Sequence, residues 1–193
     1  MQGYLTYLVD SNVRQGQPPR QNLAITDMAW LTASAYTAIW TYLSQFDLVD
    51  RISRWKVPPD DPLVHLLLEP KQLEVTAPSS GLLARLVDVE KALPQRRYDT
   101  EGTLTFEIVD ELCDWNNGTW QLEAAPCGGS VSRAKATPQL TMPVSTLAML
   151  FFGRITASQA AAMGRLDVQD ADSLKKWDNI MRTEHVPYCA DNF

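Results

Sequence analysis

The chain has 193 residues, a formal net charge of −6, 45% hydrophobic residues and 21% charged residues. Apolar content on this scale closes a core, and an acidic chain lacks the basic face that phosphate contacts need, which excludes a nucleic-acid binder. The balance is that of an ordinary soluble surface and also suits cationic partners such as amines.

In chain order, residues 3–9 read as a strand, with Tyr4, Thr6 and Leu8 alternating against Leu5, Tyr7 and Val9. Residues 12–19, with Gly16 and two prolines, read as a loop, and 21–28 as a second strand. Thr32 caps a helix whose apolar face is Tyr36, Ile39, Trp40, Leu43 and Phe46. Residues 50–56 are extended, the Pro58, Pro59, Asp60, Asp61, Pro62 run is a rigid break, and 63–68 form a short helix. A domain boundary falls near residue 68. Strands are expected at 73–77, 82–87, 103–110 and 119–124, with a short helix at 89–95 and weaker strands at 129–135 and 139–142. Asn117-Gly118 reads as a tight turn joining two of these strands. The last third is helical. Residues 145–152 stop at Gly153, and Thr156 with Gln159 forms a capping box for a helix stopping at Gly164. Residues 170–183 are amphipathic, with Leu174, Trp177 and Met181 on one face, and Pro187 releases a short tail.

No apolar run approaches the roughly 20 residues that span a bilayer, and no signal peptide is visible, so the expected location is the cytoplasm. Cys113, Cys127 and Cys189 form no C-x-x-C pair and suit a reducing compartment. Together with His65 and His185 they give no zinc spacing, so no metal is expected. No nucleophile triad is legible.

Five segments, in order, carry a family resemblance. Gly3-Tyr4-Leu5-Thr6-Tyr7 with the Trp40 helix comes first, leading into Asp60-Asp61-Pro62-Leu63. Arg85-Leu86-Val87-Asp88-Val89 follows, with Ala92, Leu93, Arg96 and Tyr98; Leu83 stands where a tryptophan is usual. Then come Trp115-Asn116-Asn117-Gly118, the Leu147–Gly153 helix with Thr156 and Gly164, and the ending Pro187-Tyr188-Cys189-Ala190-Asp191-Asn192-Phe193. The chain resembles the C-terminal portion of the Eis-type (enhanced intracellular survival) GNAT N-acetyltransferases over nearly its whole length.

The resemblance implies an α+β fold: a mixed or antiparallel sheet covered by helices, sterol-carrier-protein-like, at residues 69–193. Residues 1–68 would be the C-terminal part of a second GNAT-like domain. The acetyl-CoA-binding GNAT domain is expected to be absent. None of the nine glycines has Arg or Gln three positions before it, as the coenzyme A phosphate loop requires. Acetyl-CoA is thus the co-substrate of the intact family enzyme and is not expected to bind this chain, which alone would be inactive. The resemblance makes the Phe193 terminal carboxylate the general base that takes a proton from an aminoglycoside-like or lysine amine. Asp191 and Asn192 would contact that substrate. Asn192 replaces a frequent acid, which alters the contact beside the base. Family members assemble as hexamers, so a homo-oligomer is expected, without membrane or nucleic-acid partners. The alternatives are a stand-alone lipid-binding module, which needs an apolar cavity within residues 69–193, and an oligomerisation module without catalysis, which needs exposed apolar contact surface.

Overall fold

The alternation from Tyr4 to Val9 builds a strand, β1 (Gly3–Asn12), in the computed structural model of the chain. The structure describes residues 1–12, 20–77, 81–169 and 171–191. The chain divides into two units, Met1–Val57 and Pro58–Phe193.

In the first unit β1 pairs antiparallel with β2 (Arg20–Trp30). The loop expected at 12–19 lies, from residue 13 on, outside the described residues. The Thr32 hydroxyl accepts from the Ala35 N–H and caps α1 (Ala33–Leu43), as its sequence requires. That helix carries the chain back, so β3 (Val49–Arg54) runs parallel to β2, a pairing that needs a long crossover. The sheet order is β1-β2-β3, and Leu23, Ile25, Met28, Tyr36 and Leu43 are buried. Phe46, expected on the helix face, lies past its end and meets Tyr7 and Tyr42 edge-on, with ring centroids 5.7 and 5.2 Å apart.

The second unit opens with α2 (Leu63–Leu66). The strands expected at 73–77 and 82–87 do not form; no ladder reaches them. Their alternation fails in three dimensions, because Leu82 and Leu83 are 64% and 90% exposed and only Leu86 is buried. Then follow α3 (Val89–Gln95), β4 (Gly102–Val109), β5 (Gly118–Ala125), β6 (Gly128–Arg133) and β7 (Leu140–Pro143). The chain continues through α4 (Val144–Phe151), α5 (Ala157–Ala162), β8 (Asp167–Val168) and α6 (Ala171–Ile180). The sheet order is β6-β5-β4-β7-β8; β4 and β7 are parallel and the other pairs antiparallel. The fold is therefore mixed α+β, as expected.

The tight turn expected at Asn117-Gly118 is a longer connection. Residues 110–117 join β4 to β5, and Gly118, at φ 109°, starts β5 itself. The period-2 pattern of β4 turns Leu104, Phe106 and Ile108 inward. They meet the α4 and α6 faces, where the Trp177 ring stands edge-on to Phe106 at 5.3 Å. Full burial of such side chains contributes roughly 1.5–3 kcal/mol each. Trp120, Trp177, Tyr98 and Phe106 fill the interior of this unit. The capping box forms as read, with Thr156 and Gln159 exchanging bonds at the start of α5. Asp178 of α6 reinforces it, accepting from the Ser158 N–H at 3.1 Å and the Ser158 hydroxyl at 2.5 Å.

Candidate functional site

The candidate site is the C-terminal strap, and its geometry starts where α6 ends. The last carbonyls of a helix have no intrahelical donor. Just past the end of α6 the Arg96 guanidinium donates to Met181 O at 2.7 Å and Arg182 O at 3.1 Å. A cation is also favoured at this end of the helix dipole. Arg96 is fixed in turn by Tyr98, whose ring it overlies at 5.1 Å. The Tyr98 hydroxyl donates to Leu93 O at 2.8 Å, and burial pushes this phenol up to about 12, so it stays a neutral donor. Arg96 and Tyr98, read in the sequence as family motif, are thus the brace for the root of the strap.

Thr183 lies against Gly153, which ends α4 at φ +70°. A side chain there is strained by the backbone and would overlap Thr183. Gly153→Ala is expected to destabilise the second unit by about 2–4 kcal/mol, read as a lower urea midpoint. Thr183→Gly in the same chain should recover only the part due to overlap.

Farther along, the Val186 N–H donates to Asp60 Oδ2 at 3.4 Å, and His185 Nδ1 lies 3.9 Å from the same oxygen. Cys189 passes beside Gly81, where a Cβ would sit 3.6 Å from the Cys189 Cβ. Asp191 is exposed, and its carbonyl is 4.0 Å from Cys189 Sγ. Asn192 and Phe193, two of the three expected site residues, lie outside the described residues.

A second polar cluster holds the segment before α3 on the sheet. The Asp110 carboxylate is 3% exposed. Its Oδ1 accepts from Arg85 Nη2 at 2.5 Å and from the Leu112 and Cys113 amides at 3.0 and 3.1 Å. Its Oδ2 accepts from Asn116 Nδ2 at 2.8 Å. Burial pushes this carboxyl up, but the bonds from Asn116, Leu112, Arg85 and Cys113 outweigh it and hold the pKa at about 2. Asn116 Oδ1 accepts from the Val89 N–H, while Asn116 Nδ2 and Trp115 Nε1 donate to Val87 O. Residues 87–89 thus have side-chain partners where a strand would have a ladder. Arg133 of β6 closes the cluster, stacking on Trp120 at 3.7 Å and donating to Trp115 O and Asn117 O.

Among the described residues a cleft stands open in each unit. One, of about 710 Å³, lies in the first unit against Gly3, Leu5, Tyr7, Ala38 and Tyr42. The other, of about 420 Å³, lies in the second unit against Val87, Asp88, Glu90, Lys91, Trp115 and Trp120. The first has no basic residue in its lining. The second sets its one lysine against two acids, and Asp88 already binds Lys91 at 2.7 Å. Neither donor set fits the pyrophosphate of coenzyme A, which needs a cradle of free amides or cations. Among the described residues no three His, Cys, Asp or Glu side chains could hold a metal ion, and no helix is long and apolar enough to cross a membrane.

These features define a class: a sterol-carrier-like α+β unit, its mixed sheet covered by helices, that follows a β-α-β unit of GNAT type. Residues 89–190 match the sterol carrier protein domain and residues 1–86 an acetyltransferase (GNAT) domain. An uncharacterized N-acetyltransferase of Streptomyces avermitilis is 30% identical over 100% of this chain and 46% of its own length. The N-acetyltransferase Eis of Mycobacterium tuberculosis is 30% identical over 91% of this chain and 41% of its own. The crystal structure of Eis1 from Mycobacterium abscessus superposes with a TM-score of 0.81 at 27% identity, over 99% of this chain and 48% of that one. The chain belongs to the Eis-type GNAT N-acetyltransferase family. It spans about half the length of the curated relatives it matches.

Arg85, Arg96, Asn116 and Asn117 stand within the sequence motifs, but only the fold gives them partners. Asp110, at the end of an expected strand, has no such motif around it. The available signal was an Asp at a strand end followed by two Asn residues, the pattern of side chains that hold their own local backbone.

Proposed function

We propose that this chain forms the C-terminal part of an N-acetyltransferase acting on amines of the aminoglycoside or lysine kind. Residues 1–68 are the end of a second GNAT-like domain and 69–193 the sterol-carrier-like domain. Acetyl-CoA is bound by protein outside these residues. The Phe193 carboxylate is the general base: it takes the proton that the attacking amine must lose. Asp191 and Asn192 contact the amine. The observation that carries this reading is the braced strap: Arg96 and Asp60 give the last residues a fixed point of departure, which a catalytic chain end needs. Its proposed location is the cytoplasm, which the free Cys113, Cys127 and Cys189 support. It works as a homo-oligomer, a hexamer by family likeness, and the exposed Leu68, Val75 and Leu83 supply apolar contact surface. The lipid-carrier alternative is the weaker one, because large side chains occupy the interior of the second unit.

Titration calorimetry of the 193-residue chain with acetyl-CoA tests the domain assignment. No binding heat is expected up to millimolar ligand; a saturable heat would overturn the placement of the acetyl donor.

A further inference from the structure

We infer that Asp60 is a positioning residue for the C-terminal strap, a latch that sets the direction in which its last residues leave. The inference rests on the terminal-base reading above. Asp60 sits in a corner whose own hydrogen bonds lie within residues 58–63. Pro58, Pro59 and Pro62 each lock their own φ. The Asp61 N–H donates to Pro58 O at 3.1 Å, closing the turn. Asp61 Oδ1 accepts from the Leu63 N–H at 3.0 Å, closing its exit. A carboxylate carried on such a corner has little freedom to follow a moving partner.

The partner is equally constrained. Val186 precedes Pro187, so its backbone is confined to extended conformations. Its N–H is the last backbone donor before the proline, which has none. Donation of that N–H to Asp60 Oδ2, with His185 beside the same oxygen, ties residues 126 positions apart. From Pro187 to Phe193 the chain reaches at most about 25 Å. A change of direction at Val186 therefore redirects the described residues 187–191, and a misplacement of about 1 Å in a reacting group can cost a hundredfold in rate. Asp60 touches no reacting atom in this scheme; it acts through Val186.

The test has two arms. In the first, hydrogen exchange is followed over residues 184–191. Asp60→Ala is expected to speed exchange at Val186 about tenfold. Asp60→Asn, which keeps an oxygen acceptor, should stay within about threefold of the unchanged chain. In the second, the full-length active protein is assayed. Asp60→Ala is expected to lower kcat about 10- to 100-fold, with KM for acetyl-CoA and the thermal midpoint unchanged, and Asp60→Asn should recover most of the rate. Unchanged exchange in Asp60→Ala would overturn the latch. Faster exchange with unchanged kcat would overturn the positioning role. The base reading fails separately, through full activity of a chain extended past Phe193, and the exchange arm does not depend on it.

Discussion

Adding one residue after Phe193 in the full-length active protein is expected to lower kcat about 100-fold or more at neutral pH, with KM for acetyl-CoA unchanged. The incoming amine is largely ammonium and must lose a proton to become a nucleophile. The proposed base role requires a free α-carboxylate at the chain end. The extension turns that group into an amide, which accepts no proton. It also carries the new carboxylate roughly 3.5 Å farther along the chain. Asp191 is untouched in this variant and serves as an internal control. If a nearby acid in the strap were enough, activity would persist. Turnover at the normal rate would show that the chain end is not the base.

The second large effect is expected from Asp110→Ala, which should destabilise the second unit by about 3 kcal/mol in urea unfolding. The alanine removes the acceptor of the Leu112 and Cys113 amides and one of the two acceptors of Asn116 Nδ2. An unpaired buried donor costs about 1–3 kcal/mol. The Arg85 guanidinium is half-open to water and adds little. Acid should reproduce part of the loss. The folded carboxyl holds its pKa at about 2, below the unfolded value of about 3.9. Its contribution is therefore complete above pH ~5 and is lost as pH falls through 2, roughly 2–3 kcal/mol in all. Asp110→Asn cannot titrate, so its acid limb should be flatter over that window. An identical pH dependence in both proteins would remove Asp110 from the account.

Features determined locally were legible in the sequence. The Thr32 cap, the Thr156–Gln159 box and the glycine stops at 153 and 164 depend on residues a turn apart, and each forms as read. The alternation of β4 likewise gives its inward face directly. Residues 82–87 show where local pattern stops being enough. Leu82, Ala84 and Leu86 alternate as a strand would, but at the end of the segment Val87 O is bound by the side chains of Trp115 and Asn116, nearly 30 residues on. Once Val87 O and the Val89 N–H are bound there, no ladder is needed. Asn117-Gly118 misled for a related reason. Its sequence is that of a hairpin turn, but the Asn117 side chain instead pairs with both the N–H and the C=O of Asp110, opening the turn into a longer connection. The strap was legible only as a motif. The contact that orients it joins Asp60 to Val186, and no pattern read along the chain connects residues so far apart.

The meeting of Asp60 and Val186 also brings a residue near the start of the second unit beside one in its C-terminal strap. Units whose ends adjoin tolerate being cut elsewhere and rejoined. A circular permutant that fuses residue 193 to residue 58 through a linker is expected to keep the sheet, the helices and the Asp110 cluster. It would lack the free carboxylate that the proposed base role requires, so the scaffold and that proposed role could be tested apart by rewiring the polypeptide, without changing any side chain.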